Sequence, residues 1–241
     1  MSSLPAVFLD GDDTLWKTQE MYDEAKQHLV VLLHRIGIKD EDIINKLDEL
    51  DMQRVSIRGF TSDRFLESML ITYIQLASMQ GQHWQAEIEQ EIRKIAGTLK
   101  RPTKLYQDTL PALEALQGKA RIYLYSAGKR GVQTRKAQKL GIAKYFSTLF
   151  IVASKNEETL EQILSEVGLN PDGTWLIGNS LRSDVAPAAS LGMHTILIER
   201  GGWKYDSIFQ DGEGDQSYFR VSSLNDAVLI ILDWLKRSEK L

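Results

Sequence analysis

The chain has 241 residues, 43% hydrophobic and 26% charged, and its formal net charge of −4 gives no basic footprint for nucleic acid or an anionic membrane. The absence of cysteine excludes disulfide bonds, thiolate nucleophiles and Cys-ligated zinc. The N-terminal segment lacks the pattern of a signal peptide and no apolar run reaches the length of a membrane span, so we expect a cytoplasmic protein.

Short apolar runs bounded by turn residues predict six strands, at 6–10, 121–126, 148–152, 174–178, 194–198 and 218–221. Segments with helical periodicity lie between or after the later strands, at 111–118, 132–142, 157–169, 183–192 and 223–237. Nearly continuous apolar strands that alternate with amphipathic helices are typical of a mainly parallel sheet covered on both faces. We therefore predict a doubly wound α/β domain. The segment 201–216 has neither pattern and is either a loop near the site or a surface connection.

The region between the first two strands has a different pattern. Apolar residues recur at three- and four-residue spacing and predict four helices, at 20–37, 40–55, 62–79 and 83–99. Pro102 marks the point at which the sheet resumes, because the residue before a proline disfavours helix. We expect an all-helical insert over residues 17–100 and a core domain formed by 1–16 and 101–241.

The first strand runs into a cluster of carboxylates in VFLDGDDTLW, residues 7–16. Asp10, Asp12 and Asp13 occupy three of four positions, and close carboxylates need a compensating cation or shared protons. Alternation along an extended chain directs Asp10 and Asp12 to one site, which leaves Asp13 to organise the turn. Ligands of parallel sheets bind at the carboxyl ends of strands. The alternative is a polar turn in which Asp13 or Thr14 caps a helix.

VFLDGDDTL resembles the opening motif of the haloacid dehalogenase-like (HAD) hydrolase superfamily, an apolar strand followed by Asp-x-Asp-x-Thr. Three further landmarks follow in order at strand ends. Ser126 in RIYLYS is similar to the second motif, Lys155 in VASKNEE to the third, and Asn179 with Asp184 in IGNSLRSD to the acidic pair of the fourth. The resemblance spans nearly the whole chain. It implies a phosphatase-type member with a HAD-like Rossmannoid core, and the helical insert looks like the C1-type cap of this superfamily.

The resemblance implies a role for each motif in catalysis. Asp10 attacks phosphorus and forms an aspartyl-phosphate, and Asp12 acts as the general acid and base. Ser126 and Lys155 bind the transferring phosphoryl group. Considered singly, Ser126 is a turn residue and Lys155 a solvated lysine, so the assignment depends on the order of the motifs.

The resemblance also implies a bound Mg²⁺, which suits a cluster of hard oxygen ligands. Its ligands are the side chain of Asp10, the backbone carbonyl of Asp12 and Asp184, with Asn179 as a candidate further ligand. Thr14 and Asn179 are expected to orient the site. Read alone, Asp184 is a helix cap.

Two positions depart from the family pattern. Asn179 stands where phosphatase members commonly carry Asp, which removes one negative charge, so we expect weaker magnesium affinity. Asn156 replaces the proline that usually follows the third-motif lysine. These two positions are the only support for a catalytically idle HAD-like binding module.

The most specific hypothesis is a Mg²⁺-dependent phosphatase that hydrolyses a small-molecule phosphate monoester, since a cap favours small substrates. A phosphomutase of the same superfamily shares all four motifs and remains an alternative. A 2-haloacid dehalogenase is a further alternative, but a departing halide needs no acid, which leaves Asp12 unexplained. The sequence leaves the particular ester and the oligomeric state open.

Overall fold

The computed structural model describes residues 4–200 and 218–238, without the side chain of Ser56. The segment 201–216, and with it the two interpretations given above, lies outside the described residues. Within that described part, no helix is both long enough and apolar enough to cross a membrane. The chain divides into two compact units, one formed by residues 1–17 and 103–241 and the other by residues 18–102.

The second unit is built from four helices, α1 (Gln19–Arg35), α2 (Ile43–Arg58), α3 (Ser62–Met79) and α4 (Ala86–Gly97). Their apolar faces bury one hydrophobic core. The side chain of Thr61 caps α3 by accepting a hydrogen bond from the Arg64 N–H. The residue before α1 is Thr18, so the interpretation of Asp13 or Thr14 as its cap is wrong.

A buried ion pair lies inside this helical unit. The Arg64 guanidinium donates to both carboxylate oxygens of Asp51, at 2.9 and 2.8 Å, and to the carbonyl of Gly59 at 2.7 Å. The Ser68 hydroxyl donates to Asp51 as well, at 2.8 Å. One buried cation therefore faces one buried anion, and the remaining acceptor capacity is used by a hydroxyl.

The first unit is organised around a sheet of six parallel strands, in the order β3-β2-β1-β4-β5-β6. The strands are β1 (Ala6–Leu9), β2 (Arg121–Ala127), β3 (Thr148–Val152), β4 (Thr174–Gly178), β5 (His194–Ile198) and β6 (Phe219–Val221). All six predicted strands and the doubly wound α/β class are confirmed. The strand order reverses at β1, which makes the β1–β4 crevice the switch point at which such sheets bind ligands.

In the described residues of this unit, five α-helices follow, α5 (Thr109–Leu116), α6 (Arg130–Lys139), α7 (Glu157–Val167), α8 (Ala186–Ser190) and α9 (Leu224–Ser238). A π-helical turn, Leu181–Val185, precedes α8. Side chains of β1 alternate between two cores: Val7 and Leu9 pack on one face, and Ala6 and Phe8 on the other. Burial on both faces explains why the strand is apolar throughout.

Candidate active site

The ends of the central strands bring the predicted motifs to one edge of the sheet. Leu9 of β1 is in register with Leu124 of β2 and Ile177 of β4. Asp10 is the next residue, and its N–H donates to the Ile177 carbonyl at 2.9 Å. Ser126 lies two residues beyond Leu124 and is buried. The first, second and fourth motifs therefore leave the sheet at the same level.

A tight turn after β1 sets the positions of the first-motif side chains. The Gly11 carbonyl accepts from the N–H groups of Leu15, at 2.9 Å, and Trp16, at 3.2 Å. Asp13 adopts φ +59°, a left-handed conformation that Asp tolerates better than most residues. A Cβ on Gly11 would overlap the Trp16 ring, so glycine is required at this close approach.

Three buried side chains form a charge cluster at this edge. The Lys155 ammonium donates to Asp10 Oδ1 and also to Asp184 Oδ1, the latter at 2.5 Å. All three side chains are almost fully buried. With both carboxyls ionised, two negative charges face one positive charge.

Burial raises the pKa of the Asp10 carboxyl to about 7; the Lys155 ammonium opposes this shift and the Asp184 charge adds to it. Burial by itself would lower the pKa of Lys155, but the carboxyls of Asp10 and Asp184 raise it above its ordinary value. Lys155 is therefore cationic at neutral pH. A second cation beside the cluster would favour the ionised form of Asp10.

Asp184 is placed by the π-helical turn that follows β4. The Ser180 hydroxyl accepts from the Ser183 N–H at 3.0 Å and caps the turn, so the interpretation of Asp184 as the cap is wrong. The Ser180 N–H donates to Asp184 Oδ2 at 3.1 Å. A Cβ on Gly178 would overlap the Asp184 carboxylate, so this glycine makes the space in which the acid lies.

Thr14 and Asn179 are joined by a hydrogen bond from the Thr14 hydroxyl to the Asn179 side-chain oxygen, at 3.2 Å. Thr14 is fully buried. An amide oxygen has two lone pairs, so this contact leaves Asn179 with capacity for a further interaction. The structure thus links two residues that lie 165 positions apart and that were both expected to orient the site.

The carboxylate of Asp12 accepts from three side chains that the sequence did not single out for this role. Oδ1 accepts from Trp16 Nε1 at 2.6 Å and from Lys136 Nζ at 2.5 Å, and Oδ2 accepts from Gln133 Nε2. Gln133 and Lys136 are three positions apart on α6 and so lie on one helical face. That three-residue spacing is the one signal in the sequence that could have indicated that Gln133 and Lys136 contact the same group.

Asn156 has a structural function that explains its departure from the family pattern. It is the N-cap of α7, and its side-chain oxygen accepts from the Thr159 N–H at 2.8 Å. Asn is among the preferred capping residues. The position therefore gives no support to an idle binding module.

The donor set fits a divalent cation with a preference for oxygen. In the described residues, no three His, Asp or Glu side chains are gathered to hold a metal. The predicted set needs fewer side chains, namely those of Asp10 and Asp184, with the Asp12 carbonyl and the Asn179 oxygen nearby in sequence. Asp10 and Asp184 each direct an oxygen to the same ammonium, so their oxygens converge on one point. Mg²⁺ is commonly held by one or two such carboxylates, with waters completing its shell.

The fold and the clustered carboxylates define an α/β protein with an aspartate-centred site at the switch point of its sheet. The family model for "haloacid dehalogenase-like hydrolase" matches residues 4–192, most of the chain. The chain belongs to this family of hydrolases, which confirms the resemblance carried by the four motifs.

Two curated relatives match nearly the whole chain. A glyceraldehyde 3-phosphate phosphatase of Methanocaldococcus jannaschii is 26% identical over 236 residues, which cover 95% of this chain and 97% of the relative. A protein of the same name from Methanopyrus kandleri is 22% identical over 248 residues, which cover 97% of this chain and 99% of that relative.

Among solved structures, a haloacid dehalogenase-like family hydrolase from Xanthomonas campestris superimposes on this chain with a TM-score of 0.82 at 24% identity. The superposition covers 98% of this chain and 94% of that one, and it supports the fold.

Proposed function

We propose that the protein is a Mg²⁺-dependent phosphatase that hydrolyses a small-molecule phosphate monoester through an aspartyl-phosphate on Asp10. The observation that carries the proposal is the convergence of two carboxyl groups, those of Asp10 and Asp184, on the single ammonium of Lys155. Two full-length relatives named as phosphatases support the reaction class.

In the first half-reaction, a carboxylate oxygen of Asp10 attacks phosphorus and the bond from phosphorus to the ester oxygen breaks. Asp12 donates a proton to the departing alkoxide, which leaves as an alcohol. Lys155 and Ser126 bind the phosphoryl oxygens, over which charge spreads in the transition state.

In the second half-reaction, water attacks the phosphorus of the aspartyl-phosphate and Asp12 takes a proton from it. The bond between phosphorus and Asp10 breaks, which releases inorganic phosphate and restores the carboxylate. One residue thus serves as acid and then as base, so its position must hold through both steps.

Asp10, the Asp12 carbonyl and Asp184 are the residues that would hold Mg²⁺, with Asn179 beside them. When bound, the ion supplies positive charge to the phosphoryl oxygens and to the attacking carboxylate. Thr14 keeps Asn179 oriented through its hydroxyl. Because Asn179 is neutral, we expect weaker binding of Mg²⁺ than with Asp at this position.

The hydrogen bonds at Asp12 favour phosphate chemistry over dehalogenation. Three donors fix a carboxyl group that a halide-releasing reaction would not need. A phosphomutase uses the same core chemistry and differs in what reaches the phosphorylated aspartate.

We infer a small substrate, with the helical unit, residues 18–102, as the cap that selects it. Glyceraldehyde 3-phosphate, named for both relatives, is the first ester to test. We expect a cytoplasmic enzyme that binds neither nucleic acid nor membrane.

The test is release of inorganic phosphate from glyceraldehyde 3-phosphate and from p-nitrophenyl phosphate, with and without Mg²⁺. The wild type should release phosphate only with the metal, and Asp10→Asn should not. Isomerisation without phosphate release would favour a mutase, and chloride release from 2-chloropropionate would favour a dehalogenase. Equal rates for wild type and Asp10→Asn would contradict the proposal.

A further inference from the structure

The side chain of Gln133 reaches two motifs at once. Its amide nitrogen lies 2.9 Å from the Ser126 hydroxyl oxygen and 2.9 Å from the Ala127 carbonyl, and it also contacts Asp12 Oδ2. Asp12 belongs to the first motif and Ser126 to the second, more than a hundred residues later. One amide group therefore connects the proposed acid and base to the proposed phosphate-binding hydroxyl.

The orientation of this amide is determined by its neighbours. Turning it by half a rotation would bring Gln133 Oε1 against the Asp12 carboxylate and the Ala127 carbonyl, which are both acceptors. Only the NH₂ group fits there. The assignment of nitrogen and oxygen thus follows from the hydrogen-bond network.

Packing alone does not explain a glutamine at this position. Gln133 is 3% exposed, and its Oε1 has no hydrogen-bond partner among the described residues. A buried acceptor without a partner carries a desolvation cost, which an apolar side chain of similar size would avoid. The contacts of Nε2 with Asp12 and Ser126 are the feature of the glutamine that an apolar side chain could not supply.

We propose that Gln133 is a positioning residue that holds the Asp12 carboxyl at a fixed distance from Ser126, so that proton transfer to the leaving oxygen occurs while the phosphoryl group is bound. This inference rests on the proposed phosphatase function and deepens it. Proton transfer requires hydrogen-bond reach, and displacement by about 1 Å can cost about 10²-fold in rate.

The test compares two leaving groups in Gln133→Leu and Gln133→Met. An alkyl phosphate such as glycerol phosphate needs a proton on its leaving oxygen, whereas p-nitrophenolate departs readily without one. We expect kcat for the alkyl ester to fall by about 10²-fold and kcat for p-nitrophenyl phosphate to fall several-fold at most. The matched control is Gln138→Leu, an exposed glutamine on the same helix, which should leave both rates unchanged.

The thermal midpoint supplies a second readout. Each variant removes a buried acceptor without a partner but also withdraws a donor from Asp12 Oδ2 and the Ala127 carbonyl, so we expect Tm to fall by a few degrees at most. Equal loss of kcat for both substrates, or failure of both variants to fold, would assign Gln133 to packing. No loss of kcat for either substrate would show that its contacts are not needed. Each of these results would overturn the proposal. If the wild-type protein shows no turnover that depends on Asp10, the phosphatase function itself is overturned, and this inference with it. The two failures are therefore distinguishable.

Discussion

Each of the two compact units contains a buried ion cluster, and the two clusters differ in charge balance. In the helical unit, the Arg64 guanidinium donates to both carboxylate oxygens of Asp51. In the α/β unit, Lys155 faces Asp10 and Asp184 together. Both clusters lie out of solvent, so neither charge imbalance nor a missing donor is easily offset by water.

We propose that the difference separates a structural cluster from a functional one. The Arg64–Asp51 pair in the helical unit is neutral, and both oxygens of its carboxylate accept hydrogen bonds. The cluster in the α/β unit has two carboxyl groups for one ammonium; burial raises the pKa of Asp10, the Asp184 charge adds to that shift, and a second cation would oppose it. Substitutions in the Arg64–Asp51 pair should change stability, and substitutions in the cluster of Asp10, Lys155 and Asp184 should change metal binding and turnover.

The largest expected effect is on turnover in Asp10→Asn. Removing the nucleophile should lower kcat by about 10⁴-fold or more. Thermal stability should not fall, because the substitution removes a buried carboxyl that repels Asp184. Phosphate release and a thermal melt on the same preparation check both statements. A large fall in Tm would show that this cluster, too, is structural.

The second largest expected effect is the loss of stability in the Arg64→Met variant. It leaves the Asp51 carboxylate buried without its cation, which should cost about 3–5 kcal/mol in the free energy of unfolding, measured in urea. Arg93→Met removes an exposed i,i+4 pair with Glu89 and is the matched control, with an expected change below about 0.5 kcal/mol. Similar losses in the two variants would refute the distinction between buried and exposed pairs.

A smaller effect is expected for Asn179→Asp, which adds a carboxylate beside the α/β cluster. Mg²⁺ should bind about tenfold more tightly, because affinity follows the charge of the ligands. Calorimetric titration measures this, with Asn225→Asp, an exposed position on α9, as the control for the added charge. Unchanged or weaker binding would mean that Asn179 does not face the metal.

The smallest effect concerns Asn156. Asn156→Ala removes the N-cap of α7 and should cost about 1 kcal/mol in the free energy of unfolding, whereas Asn156→Asp should keep most of it. Urea denaturation of both variants checks the order. Equal stability of the alanine and aspartate variants would contradict the capping function.

Much of the fold and part of the site could be predicted from the sequence, because parallel strands end at one edge of a sheet. That rule brings Asp10 and Ser126 to one level without knowledge of side-chain packing. The environment of Asp12 could not be predicted in this way. Gln133 and Lys136 reach it from α6, more than a hundred residues later in the chain, and Trp16 reaches it within a turn that contains the left-handed Asp13.

The central claim is that Asp10 becomes phosphorylated in a cluster of two carboxyl groups and one ammonium that also binds a divalent cation. Acid quenching during turnover with Mg²⁺, followed by mass spectrometry of the peptide that contains Asp10, tests it most directly. We predict one phosphoryl group on Asp10 in the wild type and none in Asp10→Asn. Phosphate release with no phosphoryl group on that peptide at any quench time, together with retained turnover in Asp10→Asn, would contradict the account.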